Sequence, residues 1–303
     1  MHWFQKSEKD IRNERIQNAI PEEQYRMIRQ YCVQRNNIIK LHTYRCFTKS
    51  NQSPQSVTIF FHGLNEHLGL YAHIAQALSK QANSVCVGFD YRGFGRSEGL
   101  RGWLESKEQH IEDCTRFILL IKQLYPGVQL FSLGQSLGGL TSYIIGMNNL
   151  VHGTILITPA LMDNYYNRPY LKKLAILLGK FIPTWSPFPA SFPNVSKNPQ
   201  ILDDHMKDPF INWNATLPGT ARNLLKMMRE APNTFQYYHK PFLVISGGMD
   251  QAIDPDVGHE LIKLSPSIDK ELIYYENMWH DCIAEQEILE IIPKIVEWIK
   301  KRQ

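Results

Sequence analysis

The sequence predicts an α/β fold: a mostly parallel central sheet with helices on both faces and a helical cap inserted after the sixth strand. Three observations predict it. Short β-branched and aromatic runs alternate with longer stretches of helical periodicity, the pattern of a sheet joined by crossover helices. Those runs are apolar almost throughout, as strands covered on both faces must be. One stretch, from Ala160 to about Gln236, carries no strand pattern and is too long for a simple loop.

The elements follow in order. Met27 to Gln34 and Ile38 to Phe47 alternate in polarity and read as an antiparallel hairpin with Asn36-Asn37 at its turn. Val57–Phe61, Ser84–Asp90, Val128–Leu133, Thr154–Thr158 and Phe242–Ser246 are the central strands, and Glu271–Tyr275 is the last. Helical spacing covers Leu70–Gln81, Lys107–Leu124, Leu137–Asn148, Val257–Leu264 and Ala284–Lys301. The stretch between the strands at 154 and 242 is punctuated by Pro183, Pro187, Pro189, Pro193 and Pro199. The division is therefore a core of 1–159 and 237–303 with a cap of 160–236.

Composition narrows the function classes. The 303 residues are 43% hydrophobic, enough for a sizeable core and too apolar for disorder. The net charge is +4, and no basic run exceeds Lys300-Lys301-Arg302, so a nucleic-acid partner is not expected. No apolar run approaches the ~20 residues that cross a bilayer. The N-terminus is charged from the start, unlike a signal peptide. Five cysteines with no C-x-x-C pair point to reduced thiols and a cytoplasmic location. No H-E-x-x-H and no Cys/His cluster occurs, so neither metal nor cofactor is expected. Oligomeric state is not legible.

Gly134-Gln-Ser-Leu-Gly138 matches G-x-S-x-G between an apolar strand and a helix, the setting of a nucleophile elbow. A serine hydroxyl needs a base to take its proton and a carboxylate to orient that base. His280 follows the strand ending at Tyr275, and Asp250 follows the strand Phe242–Ser246. The order Ser136, Asp250, His280 is the one this strand–turn–helix setting demands. Asp254 competes with Asp250. Asp256 reads as the cap of the helix from Val257, Asp281 as too close in sequence to orient His280, and His259 as a solvated helix residue.

Acyl transfer also needs N–H donors for the oxyanion. The backbone of Leu137 is one, and the loop His62-Gly-Leu-Asn-Glu-His67 offers Leu64 as the other, with His62 bracing the turn and Glu66 and His67 read either as supports behind the site or, preferably, as plain surface. Asp90-Tyr-Arg-Gly-Phe-Gly-Arg-Ser-Glu-Gly99 lacks the third glycine of a dinucleotide loop.

These ordered motifs, with Tyr71, Gly248-Met-Asp250 and Trp279-His280, resemble the α/β-hydrolase superfamily, and within it the monoacylglycerol lipase and lysophospholipase-like serine hydrolases. The resemblance implies Ser136 as nucleophile, Asp250 as triad acid, His280 as general base, and Leu64 and Leu137 as oxyanion donors. It implies a small lipid ester as substrate. Two departures stand out. Relatives often carry histidine before the nucleophile and methionine after it, where this chain has Gln135 and Leu137. Leu64 is bulky where others are small, which bears on the acyl entrance.

The cap carries the substrate signal. On the helix over 171–182, Leu171, Leu174, Ala175, Leu178, Phe181 and Ile182 share one face and Lys172, Lys173 and Lys180 the other; Leu177 widens the stripe and Ile176 interrupts the lysines. Two readings follow: a helix packed on the protein, or a basic amphipathic helix in peripheral contact with a membrane. Trp185, Phe188 and Phe192 suit either. A returning helix over Thr220–Met228 brings Leu224 and Met228. Leu171, Leu174, Leu178, Leu224 and Met228 are the candidate acyl contacts. The competing enzyme class is a proline-aminopeptidase-like amide hydrolase, for which Asp203-Asp204 is the adjacent acidic pair in the cap. The competing non-enzyme reading is a binding protein on a hydrolase shell.

Overall fold

The computed structural model describes residues 25–34, 37–46, 53–164, 169–185 and 196–303. Among the described residues eight strands form one sheet: β1 (Tyr25–Gln34), β2 (Asn37–Cys46), β3 (Ser56–Phe61), β4 (Ser84–Phe89), β5 (Gln129–Gln135), β6 (Gly153–Ile157), β7 (Phe242–Gly247) and β8 (Lys270–Tyr275). Their order is β1-β2-β4-β3-β5-β6-β7-β8. β3 through β8 are parallel, while β1 and β2 join antiparallel at one edge.

Alternation along the strands divides the core in two. Val57, Ile59 and Phe61 of β3 and Val244 of β7 point to one face, Phe60, Leu243 and Ile245 to the other. The first face is covered by α2 (Lys107–Leu124), α3 (Leu137–Met147) and α7 (Val257–Leu264) through Ile118, Leu140 and Leu261. The second is covered by α1 (Ala72–Gln81) and α8 (Ile288–Lys300) through Leu78, Ile295 and Trp298. Between β6 and β7 the chain leaves the sheet for α4 (Pro169–Phe181), α5 (Pro199–Met206) and α6 (Pro218–Glu230). The cap insertion therefore does follow the sixth strand.

Four boundaries differ from expectation, each for a local reason. Gln34 pairs with Asn37, which puts Asn37 in β2 and not in the turn. The helix expected from Leu70 opens as a 3-10 turn over Leu68–Tyr71, with the His67 ring accepting from the Gly69 N–H. The last helix begins at Ile288 and not at Ala284, because Ala284 and Glu285 both fold back onto the Asp281 carbonyl and the Glu285 carboxylate is held by Ser196. Pro199, expected to interrupt, begins α5: Asn198 caps the Gln200 N–H, and proline suits the first helical position, where no N–H is needed.

Sheet order also locates a cleft. From β3 the chain crosses to β4 on one side, and from β5 it crosses to β6 on the other. The carboxyl ends of β3 and β5 are thus neighbours at a switch point, where open parallel sheets leave a crevice.

Candidate active site

The turn after β5 is tight by necessity. A Cβ on Gly138 would lie 1.9 Å from the Phe61 carbonyl oxygen, and one on Gly134 2.2 Å from that of Gly138. Only glycine lets β3 and the first turn of α3 approach this closely. Between them Ser136 has φ +54° and ψ −118°, a conformation that costs a non-glycine residue about 1–3 kcal/mol and marks functional turns. Its N–H donates to the Ile157 carbonyl, and its own carbonyl accepts from Leu140 and Ala160, so three elements fix it.

Two further loops meet it. After β7, Asp250 Oδ1 accepts from the N–H groups of Ala252 and Ile253, which leaves Oδ2 for His280 Nδ1 at 2.7 Å. Both residues are buried. The loop after β8 is held at the His280 carbonyl, which accepts from Thr158 Oγ1 at 3.0 Å and Gln135 Nε2 at 3.2 Å. Burial opposes the imidazolium, but the charge and hydrogen bond of Asp250, with Asp281 and Glu66 beyond, outweigh it and raise the His280 pKa above the ordinary histidine value. Ser136, His280 and Asp281 line one cleft of about 240 Å³ with Leu64, Leu224 and Met228.

The loop after β3 is braced throughout. Tyr91 N–H donates to His62 Nε2 at 2.9 Å, so the remaining proton of the neutral ring sits on Nδ1 and donates to the Gly63 carbonyl at 2.7 Å. Burial holds this histidine down to a pKa of about 3. Glu66 accepts from the Gly63 N–H and from the Tyr71 hydroxyl at 2.9 and 2.7 Å. His67 is buried and donates to Asp208 of the cap at 3.1 Å. The Asn212 N–H of the same cap segment donates to the Asn65 carbonyl at 2.8 Å. Leu64 thus sits in a loop whose neighbours on both sides are tied down. Leu137 opens α3, where the first N–H groups have no partner inside a helix.

Several expectations need correction. His67 is buried by its contact with Asp208 and not at the surface, and Glu66 is half-buried against Tyr71 at the edge of the cleft. Asp256 does stand at the start of α7, but its side chain does not cap it, and instead its own N–H donates to Asp254 Oδ1. Among the candidate acyl contacts, Leu224 and Met228 line the cleft, whereas Leu174 and Leu178 lie on α4 and are not among the described residues lining it. The side chain of Leu171, and Phe188 and Phe192, lie outside the described residues. Thr158, which donates to the His280 carbonyl, and Asp208, which holds His67, have no signal in the sequence as parts of the site. Gln135, which stands inside the G-x-S-x-G string where relatives often have histidine, holds the His280 carbonyl.

Asp90, fully buried, accepts from the N–H groups of Leu68 and Arg96 and from the Tyr44 hydroxyl. The motif from 90 to 99 is therefore a scaffold under the loop after β3.

A mostly parallel sheet, a strained serine at the switch point and a histidine–carboxylate pair on the same rim define an α/β-hydrolase. The family model described as serine aminopeptidase, S33 matches residues 52–287, and the chain belongs to that family. Rat monoglyceride lipase is 28% identical over 263 residues, covering 84% of this chain and 86% of its own length. A monoacylglycerol lipase of Mycolicibacterium smegmatis is 27% identical over 248 residues, covering 81% and 88%. Among solved structures, the monoacylglycerol lipase of Paleococcus ferrophilus shares the fold with a TM-score of 0.75 at 24% identity, over 87% of this chain and 99% of that one. A soluble variant of Saccharomyces cerevisiae monoglyceride lipase gives 0.76 at 19%, over 90% and 94%.

Proposed function

We propose that this protein hydrolyses carboxylic esters of lipids, monoacylglycerol first and lysophospholipid second, by a Ser136–His280–Asp250 triad. The observation that carries the reading is the 2.7 Å contact between His280 Nδ1 and Asp250 Oδ2 in the cleft that Ser136 lines. Asp250 fixes the proton on Nδ1, so Nε2 accepts the Ser136 proton as Oγ attacks the ester carbonyl. The N–H groups of Leu64 and Leu137 hold the resulting oxyanion. His280 returns the proton to the leaving alcohol, and an acyl-serine remains. Water, deprotonated by the same imidazole, then releases the fatty acid and restores Ser136.

The amide-hydrolase alternative needs carboxylates free to grip an amine. In the cleft, Glu66 is engaged by Gly63 and Tyr71, and Asp281 by Gln135 and by His205 at 3.5 Å. Asp203 in the cap pairs with Lys207. These engagements favour a neutral ester.

Peripheral membrane contact belongs to the same reading. The exposed part of α4 and the segment after it carry Tyr170, Leu177, Phe181 and Trp185 beside Lys173 and Lys180, a mixture suited to an anionic lipid surface. Among the described residues no helix is long and apolar enough to cross a membrane.

One panel tests the whole reading: monoacylglycerols, lysophospholipids and proline anilide, each offered in micelles and in anionic vesicles. Turnover of the glycerol esters, faster on vesicles, with no anilide cleavage is the expected result. Anilide cleavage with intact esters would overturn the ester reading.

The raised pKa of His280 gives a pH profile with a definite sign. The base works only when neutral, so kcat/KM should fall as pH drops through a value above about 6.5, the unperturbed histidine pKa. A profile flat down to pH 5 would remove His280 as the base.

A further inference from the structure

The cap reaches the loop of the base as well as the loop after β3. His205, in the last turn of α5, places Nδ1 3.5 Å from Asp281 Oδ2. Asp281 follows His280 directly in the chain, and its side chain is 5% exposed, against 15% for that of His205. A carboxylate so far from water needs partners. Burial pushes the Asp281 carboxyl up, and His205 and then Gln135 draw it back in part.

Gln135, at the end of β5, is the second partner. Its Nε2 lies 3.4 Å from Asp281 Oδ1 and 3.2 Å from the His280 carbonyl oxygen. A primary amide carries two hydrogens on that nitrogen, one for each acceptor. Its buried Oε1 has no partner among the described residues, so the hold is made on the nitrogen side. The contacts therefore run in series from His205 to Asp281, to Gln135 and to the backbone of His280. The start of the series is itself seated, because Trp213 Nε1 donates to the His205 carbonyl at 2.9 Å.

We infer that His205 and Asp281 are positioning residues for His280: with His205 docked, Asp281 and Gln135 together fix the loop that carries the base, so the seating of the cap sets the base's reactivity and not access alone. The inference rests on the ester-hydrolase reading. Asp281 acts without orienting the His280 ring, which belongs to Asp250 on the loop after β7. Ring and backbone of residue 280 are thus anchored from different elements, and both anchors are needed. The imidazole must come within hydrogen-bond reach of the Ser136 hydroxyl, and a misplacement of about 1 Å can cost ~10²-fold.

The test uses two readouts that need no lipid head group: hydrolysis of p-nitrophenyl acetate and the rate at which a fluorophosphonate labels Ser136. His205→Ala should lower kcat and the labelling rate by about tenfold, with KM within about twofold. His205→Asn keeps an N–H near the place of Nδ1 and should restore both to within about threefold of the wild type. Asp281→Ala should lose about as much as His205→Ala, and the double variant no more than the larger single loss, since each breaks the same latch. If Asp281→Ala melts early, the loss in His205→Ala and its rescue in His205→Asn decide alone. A loss confined to long lipid esters, with the short ester and the labelling unchanged, would make His205 a substrate contact and overturn the inference. Losses that add in the double variant would overturn it too, and both outcomes leave the ester reading intact. A wild type that neither cleaves nor labels would overturn the ester reading as well.

Discussion

Ser136→Ala is expected to lower ester turnover by about 10⁴-fold or more, the loss seen when a serine triad is deprived of its nucleophile. Labelling by an active-site fluorophosphonate should vanish with it. The fold should not. The backbone bonds of residue 136, to Ile157, Leu140 and Ala160, do not involve the hydroxyl. Alanine at φ +54° carries the same backbone strain as serine, so the thermal midpoint should shift little. Ser136→Gly separates strain from chemistry: equally inactive, it should be more stable than the alanine variant by about 1 kcal/mol, since glycine adopts this conformation without cost. An alanine variant that keeps near wild-type rates and labelling would remove Ser136 from the mechanism.

How much of this site could be read from the chain alone depended on how local each constraint is. The serine turn was legible because everything that forces it lies within five residues: an incoming apolar strand, glycines at 134 and 138, and an outgoing helix. The sheet was legible for the same reason, since each strand declares itself by its own apolar run. His67 was misread because its partner, Asp208, is 141 residues away and belongs to the cap. Glu66 was misread although Tyr71 is only five residues on, because nothing in the string says that the 3-10 turn at 68 points the tyrosine back at the loop. Helix α5 is hidden in the sequence because Pro199 stands in a row of punctuating prolines, whereas after a capping asparagine it is a start. The acyl contacts divided by helix: Leu224 and Met228 reached the cleft, while the stronger apolar stripe of α4 did not bring Leu174 or Leu178 there. A helical stripe tells that something is covered, not what covers it.

The brace around the loop after β3 ties the cap to the rim of the cleft. Asn212 holds Asn65 and Asp208 holds His67, one on either side of Glu66, and His205 of the cap meets Asp281 beside the proposed base. Three elements far apart in sequence thus share one rim, and a cap substitution at Asp208, which does not line the cleft, reaches the loop that carries Leu64 through His67. The same logic makes the carboxylate behind His280 the most informative position after the nucleophile.

Asp250→Asn should cost about 10⁴-fold in kcat with little change in thermal midpoint, as a wrong imidazole tautomer does in other serine triads. The amide oxygen can still accept from Ala252 and Ile253, so the loop after β7 keeps its shape. The amide nitrogen, however, donates toward His280 Nδ1 and forces the ring proton onto Nε2, the atom that must accept from Ser136. The variant also loses the charge that raised the His280 pKa, and burial, the largest influence and a lowering one, is left less opposed. Its residual activity should therefore persist to lower pH than the wild type: slower, with the acid limb moved down. A merely structural role for Asp250 would give the reverse, a lower midpoint and an unmoved limb. Asp250→Ala supplies the contrast, since it leaves the buried N–H groups of Ala252 and Ile253 without their acceptor and should destabilise by about 1–3 kcal/mol besides. If Asp250→Asn retains wild-type rate and pH profile, the orienting carboxylate is not Asp250, and Asp254 is the next acid in that loop to change.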